Sequence, residues 1–280
     1  MGAGARAAGR GWEPLMTSPS AFAELSAAYQ RGDHHDVLRR SAEILAERPG
    51  DDAAHELRAR SLLALNRVEE AEREAAAAVR LDPEEIRYRE LLAEILARRG
   101  AHRDAADEFG RLARNDPRQA DWDVAEAQER TAAAQPELGA EAARRAVRLD
   151  PGNARAQLAL ARGLVRTGDA RGALVAARAA IALLPGDSAS GEATEAREAA
   201  ARHLAEAREA LADALWLTDD ARAAFREFRA MASELVGVDR ARVTDKARRL
   251  YVQHAGGVGR LVARIGPLFA FALRRGWLTV

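Results

Sequence analysis

Five prolines, Pro49, Pro83, Pro117, Pro151 and Pro185, stand 34 residues apart along the chain. Proline has no N–H to donate and its ring collides with a preceding helical turn, so each one marks a place where a helix has ended. Asp82, Asp116 and Asp150 precede three of them and Gly186 follows a fourth, the residue types that close helices and form turns. A chain punctuated at one fixed interval is confined to repeating a single supersecondary unit.

The interval has structure of its own. Seventeen residues before each proline come Gly32, Asn66, Gly100, Ala134 and Gly168, where a residue able to take a left-handed backbone ends a first helix. Ala134 is the exception and weakens its unit. Twenty-four residues before stand Leu25, Ala59, Ala93, Ala127 and Ala161, and twelve before stand Val37, Ala71, Ala105, Gly139 and Ala173. Small side chains at these two offsets let the two helices of a hairpin approach closely. Five before each proline lie Ile44, Ala78, Leu112, Ala146 and Ala180, placed to pack one hairpin on the next. Composition agrees: the chain is 48% hydrophobic but only 5% aromatic, so alanine, the best helix former, carries the apolar content.

This pattern resembles the tetratricopeptide repeat family. The resemblance covers Ser18 to Pro185 and implies an all-α superhelix, a solenoid of about six helical hairpins with C-terminal capping helices. Residues 1–17, rich in glycine and without apolar periodicity, are expected to be disordered. Residues 18–236 form the solenoid, with five regular repeats to Pro185 and an extended sixth over about 188–236, where the offsets from Leu211 through Ala224 to Phe228 match again. Residues 237–280 are expected to cap it or to dock into a groove. The fourth unit departs by placing Glu126 and Arg130 where apolar residues are usual. Its Trp122 is either a core anchor or an exposed binding aromatic.

Charge and composition exclude several functions. Lys plus Arg and Asp plus Glu number 43 each, so the chain as a whole has no polyanion-binding footprint and nucleic acid is not an expected partner. Cysteine is absent, which rules out thiolate metal sites and disulfides. No membrane span and no secretory signal is legible, and the expected location is the cytoplasm. His34-His35-Asp36 is the one histidine cluster and suits a solvated turn. No zincin, phosphate-loop or nucleophilic-serine motif occurs. We expect no enzyme, no cofactor and no metal.

The resemblance implies a protein or peptide partner held in the groove lined by the first helix of each hairpin. In the fifth repeat Leu160, Ala161 and Leu164 form the packing side, whereas Arg155, Leu158, Arg162, Val165 and Arg166 recur on another. Equivalent places elsewhere hold Arg60, Leu63, Arg87 and Arg98, with Glu56, Glu90, Glu94 and Asp121 among them. The stripe is either a solvated face or a groove for an acidic or carboxylate-terminated segment, since arginine pairs bidentately with carboxylate. Where the family's chaperone-binding members carry a clamp of Lys, Asn, Asn, Lys and Arg, this chain has Phe22, Ser26, Arg60, Arg87 and Leu91, so chaperone-tail docking is not implied. The expected role is a scaffold or adaptor. The alternatives are a structural subunit of a larger assembly and a peptide-sensing regulatory module.

Overall fold

The computed structural model describes residues 19–184, 194–234, 237–254 and 266–275, and every element among them is an α-helix. The expectations for residues 1–17, for Pro185, for the Gly256-Gly257 joint and for half of Val258 to Trp277 fall outside the described residues. Two compact units are present, Met1–Arg99 and Gly100–Val280.

The first unit holds α1 (Pro19–Gln30), α2 (His34–Glu47), α3 (Asp52–Ala64), α4 (Val68–Leu81) and α5 (Ile86–Arg99). Helices α1 and α2 pair as one hairpin and α3 and α4 as the next, with α2 packed on α3 and α4 on α5. The second unit holds α6 (His102–Asn115), α7 (Ala120–Ala132), α8 (Pro136–Leu149), α9 (Ala154–Thr167), α10 (Ala170–Leu183), α11 (Thr194–Leu217), α12 (Ala221–Glu234), α13 (Gly237–His254) and α14 (Gly266–Arg275). Here α7–α8, α9–α10 and α11–α12 are hairpins, and each first helix also packs on the next, α7 on α9 and α9 on α11. The helical-hairpin solenoid expected from the 34-residue interval is thus the architecture observed.

The joints behave as their residue types dictate. Asp82, Asp116 and Asp150 end their helices in an extended or near-extended backbone. Their carboxylates then accept the N–H groups of Glu84, Arg118 and Gly152 at 3.1, 3.1 and 3.0 Å. One aspartate thereby closes a helix and holds the turn that opens the next. Asp33, Asp51, Asn153 and Asp169 cap helix N-termini by accepting an N–H three residues on, which satisfies one of the donors a helix start leaves unpaired. All five residues seventeen before the prolines have left-handed φ: Gly32 (72°), Asn66 (59°), Gly100 (81°), Ala134 (58°) and Gly168 (81°). Asp219 (63°) repeats this between α11 and α12. Ala134 takes the same backbone as its glycine counterparts and carries the steric cost of its Cβ.

Every residue at the three packing offsets is buried. Ala59, Ala93, Ala161, Val37, Ala71, Ala105 and Ala173 are 0% exposed and Ala127 is 1%. Gly139 shows how close the helices come. A Cβ there would lie 2.6 Å from the Thr131 hydroxyl and 3.0 Å from the Ala127 carbonyl, both on α7. Trp122 is buried at 7%, which makes it a core anchor.

The charged residues of the fourth repeat form a buried ion network. Asp123 and Glu126, 3% and 7% exposed, accept from Nε and Nη2 of Arg145 at 2.8 and 2.6 Å. Arg130 donates to Asp107 at 2.7 Å and lies 3.5 Å from Glu126. Gly110 makes room for this, since a Cβ there would meet the Glu126 carboxylate at 3.0 Å. Carboxylates replace apolar side chains here because an arginine from the neighbouring helix answers both.

Beyond the sixth hairpin, α13 and α14 pack on α12 and on each other. Phe225 meets Trp216 at 5.9 Å and Tyr251 at 5.4 Å between ring centroids, and Tyr251 meets Phe269 at 5.5 Å. With Phe228 and Met231 these side chains belong to the largest apolar cluster of the second unit.

Two substitutions test this account. Ala134→Gly removes the Cβ from a left-handed site and should raise stability by about 0.5–1 kcal/mol after glycine's greater unfolded-state entropy is deducted. Gly139→Ala should lower it by about 1–3 kcal/mol, because the obstruction includes backbone of α7 and outweighs alanine's better helix propensity. Urea denaturation of each variant against the parent reads both signs.

Candidate functional site

In the second unit the first helices of successive hairpins converge on one cleft. A cavity of about 460 Å³ is lined from α7, α9, α11 and α13. Its apolar part comes from Ala127, Ala159, Val165 and Ala210, and Gln128 and Thr131 lie at the α7 side. Helix α9 contributes Arg162 and Arg166, one turn apart. Helix α11 contributes Glu206, Glu209 and Asp213, whose spacings of three and four put them on one face. Helix α13 contributes Arg242 and Lys246, again one turn apart. The lining thus alternates in sign from helix to helix.

Ion pairs cross the cleft between these helices. Arg162 lies 3.3 Å from Glu206. Arg242 reaches Glu209 at 2.6 Å, and Lys246 bridges Glu209 at 2.8 Å and Asp213 at 2.6 Å. Burial works to raise the Glu209 carboxyl, but Lys246 and Arg242 outweigh it and hold the group below its ordinary value. At Asp213 burial dominates over Lys246 and the carboxyl is raised. Arg166 forms no ion pair among the described residues, although its charge helps to hold Asp213 ionised.

Of the residues singled out in the sequence, Arg162, Val165 and Arg166 meet in this cleft. Arg155 does not line it; it is exposed and lies 3.6 Å from Asp121. Leu158 is a correction. It is 3% exposed and sits in the core cluster with Ala161 and side chains of α11. Leu158 lies three residues before Ala161, so it shares the packing face of Ala161 rather than the exposed stripe.

The other four candidates belong to the first unit. Arg60 donates to Glu56 at 2.9 Å, and Arg87, 3.9 Å from the same carboxylate, also pairs with Glu85 at 3.1 Å. Both guanidinium groups therefore serve a carboxylate of this chain that is only 7% exposed. Arg87 also lies 5.7 Å over the ring of Tyr88, whose phenol is pushed up to about 12 by burial and by Asp52 and Glu56. Leu63 is half-buried against the core of α3, α4 and α5. Arg98 is exposed at the end of α5.

Sequence reasoning missed the acidic column of α11 and the two cations of α13. The spacing of Glu206, Glu209 and Asp213 was a legible signal. Arg242 and Lys246 gave none, because nothing local says that α13 folds back beside α11. His34, the start of the histidine cluster, has its ring 3.4 Å from the Ser61 hydroxyl, and Asp36 beside it is held below the usual carboxylate range chiefly by Arg40.

Lys246 is the group on which the cleft's charge balance turns. Lys246→Met leaves Glu209 and Asp213 facing one another with one cation fewer, and should cost about 1–3 kcal/mol near neutral pH. In the parent, Glu209, lowered on folding, adds stability that is lost as the pH falls through its folded value; Asp213, raised, has the opposite sign. In the variant both carboxyls rise, so the deficit should shrink as the pH is lowered toward about 4. Denaturant titrations of both proteins across that range measure it.

A family model described as tetratricopeptide repeat matches residues 28–95. No curated protein matches the sequence. Among solved structures, a tetratricopeptide repeat protein from Parabacteroides merdae ATCC 43184 aligns with a TM-score of 0.62 at 12% identity, over 90% of this chain and 98% of that one. The structure titled MamA 41-end from Desulfovibrio magneticus RS-1 aligns with a TM-score of 0.53 at 19% identity, over 59% of this chain and 93% of its own. Cut9–Hcn1, described as an APC/C hetero-tetramer, aligns with a TM-score of 0.55 at 15% identity, over 91% of this chain and 48% of that one. At such identities the likeness is one of fold. Residues 28–95 thus match the tetratricopeptide repeat model directly, and the same register of joints and buried offsets carries on to Ala180.

Proposed function

We propose that the protein is a non-catalytic scaffold or adaptor that binds a peptide or helix of a partner protein in the cleft between α7, α9, α11 and α13. The observation that carries this reading is the convergence of four helices on one open cavity of about 460 Å³ with an apolar part and charged walls. Such a site suits an extended or helical segment, with apolar contact for affinity and charge for orientation. The wall of α9 favours acidic side chains on the ligand. Arg166 has no ion pair among the described residues, and the partner of Arg162, Glu206, is itself 36% exposed and free to yield its place. Helices α13 and α14 act as the cap that covers the apolar side of α12, as a solenoid end requires. A cysteine-free chain with no described helix long and apolar enough to cross a membrane fits a cytoplasmic setting.

The test is a charge reversal on α9. In Arg162→Glu/Arg166→Glu, affinity for a partner co-purified from the native organism should fall at least about tenfold, and parental binding should weaken with added salt. Unchanged affinity in a variant with parental circular dichroism removes the cleft as the binding site.

A further inference from the structure

The chain is neutral overall, with 43 residues of each sign, but its second unit does not distribute charge evenly. In the cleft most cations are answered by a carboxylate. On the second helices the situation is reversed. Arg144 and Arg148 of α8, Arg171 and Arg178 of α10, and Arg226 and Arg229 of α12 are all exposed. None of these six forms a hydrogen bond or ion pair among the described residues. The spacings of four, seven and three keep each pair on one side of its helix. The opposite sides are the buried ones, carrying Ala143 and Ala146 on α8, Ala173, Ala177 and Ala180 on α10, and Ala224, Phe228 and Met231 on α12. These second helices contribute nothing to the cleft lining, so the arginines occupy a different surface of the same unit.

Aliphatic side chains are interleaved with them. Val175, 71% exposed, sits between Arg171 and Arg178, and Leu183, 41% exposed, lies at the end of the same helix. Leu149, next to Arg148, is 44% exposed. Helix α10 carries no acidic residue at all. Asp150 and Asp169 stand two residues from Arg148 and Arg171, and Glu141 and Glu227 lie on α8 and α12, yet none of the four forms an ion pair with these arginines among the described residues.

We propose that this outer face of α8, α10 and α12 is a second docking surface, which takes an acidic segment of a partner protein. Charge complementarity identifies the occupant as anionic, and free guanidinium groups are suited to bidentate capture of carboxylates. The mixture of arginine with exposed aliphatic residues, and the scarcity of acids, is the composition of protein interfaces. Single-stranded nucleic acid is disfavoured because the face offers no aromatic platform: α8 and α10 contain no aromatic residue, and Phe225 and Phe228 of α12 are buried. A lipid surface is disfavoured because the exposed aliphatic residues stand singly among the arginines, whereas the continuous apolar face of each helix is buried in the core. The surface is independent of the cleft, so the protein holds two partners, or two segments of one partner, on opposite sides of the second unit's hairpins.

The experiment uses the full chain and a short fluorescein-labelled poly-glutamate peptide, with binding read by fluorescence anisotropy at low salt. Arg171→Gln/Arg178→Gln/Arg226→Gln should weaken binding by at least about tenfold, whereas Arg73→Gln/Arg80→Gln on the exposed side of α4 in the first unit should stay within about twofold of the parent. The six arginines form no hydrogen bond or ion pair among the described residues, so the triple variant should keep the parental circular dichroism and melting temperature. If it does not, Arg144→Gln/Arg148→Gln/Arg229→Gln gives the same reading on the same surface. The proposal is overturned if poly-glutamate fails to bind, if the folded outer-face variant binds like the parent, or if the α4 variant weakens binding as much. Tighter binding of duplex DNA, or of phosphatidylserine vesicles, than of poly-glutamate also overturns it, reassigning the face to nucleic acid or membrane. Failure of the cleft variant to affect a native partner leaves this surface standing, and the reverse holds as well.

Discussion

The close approach of helix to helix through small residues is the contact on which the rest of the structure depends. Two helices whose facing positions hold Ala, Gly or Val settle with their backbones nearly in contact, and the space between them has no room for even a methyl group at Gly139. Each such contact is weak on its own, because alanine buries little area. Repetition supplies what size does not. The same three offsets are filled five times, and each hairpin covers a face that its neighbour would otherwise expose. At the two offsets inside a hairpin a large side chain has little room, and after Leu25 and Val37 of the first hairpin they hold only Ala and Gly, whereas the offset between hairpins also takes Ile44 and Leu112.

That economy of side-chain volume has an electrostatic counterpart. A core built from alanine leaves the long side chains on the faces, and in this chain those are overwhelmingly arginine and glutamate. Where two helices bring opposite charges together, as at Arg145 with Asp123 and Glu126, the ions become part of the packing. Their desolvation is offset only because both carboxylates are answered. In the cleft the same residue types stand at a partly open site, with Lys246 shared between two carboxylates whose ionisation it pulls in the same direction against burial. On the outer side of α10 Arg171 and Arg178 form no ion pair among the described residues. One residue type therefore serves as core glue, as cleft wall and as docking surface, and only its neighbours across helices distinguish the three.

The joints show how local chemistry and repeat geometry reinforce each other. The left-handed position between paired helices turns the chain through a hairpin in few residues, and glycine takes it without strain. Asn66 and Asp219 tolerate it as short polar residues do, while Ala134 accepts the strain because packing on both sides over-determines its backbone. The fourth repeat thus departs from the pattern twice, at Ala134 and in its ionic core, and both departures are accommodated without loss of register.

The sequence by itself determined the hairpin, its 34-residue period, its joints and its three buried offsets, because all of these are set by interactions within a few turns or between adjacent helices of like composition. The buried ion network was visible only as an irregularity, since Arg145 lies on a different helix from Asp123 and Glu126. The cleft was half legible. Arg162, Val165 and Arg166 stood out by helical spacing, but Leu158 was assigned to the wrong face, because a stripe of a helix packed on three neighbours is narrower than periodicity alone allows. Tertiary structure alone decided that Glu206, Glu209 and Asp213 oppose those arginines, that α13 returns to place Lys246 among them, and that the arginines of the outer face have no ion pair among the described residues. A count of charges sums over the whole chain, whereas pairing depends on which side chains come within about 4 Å of one another in space.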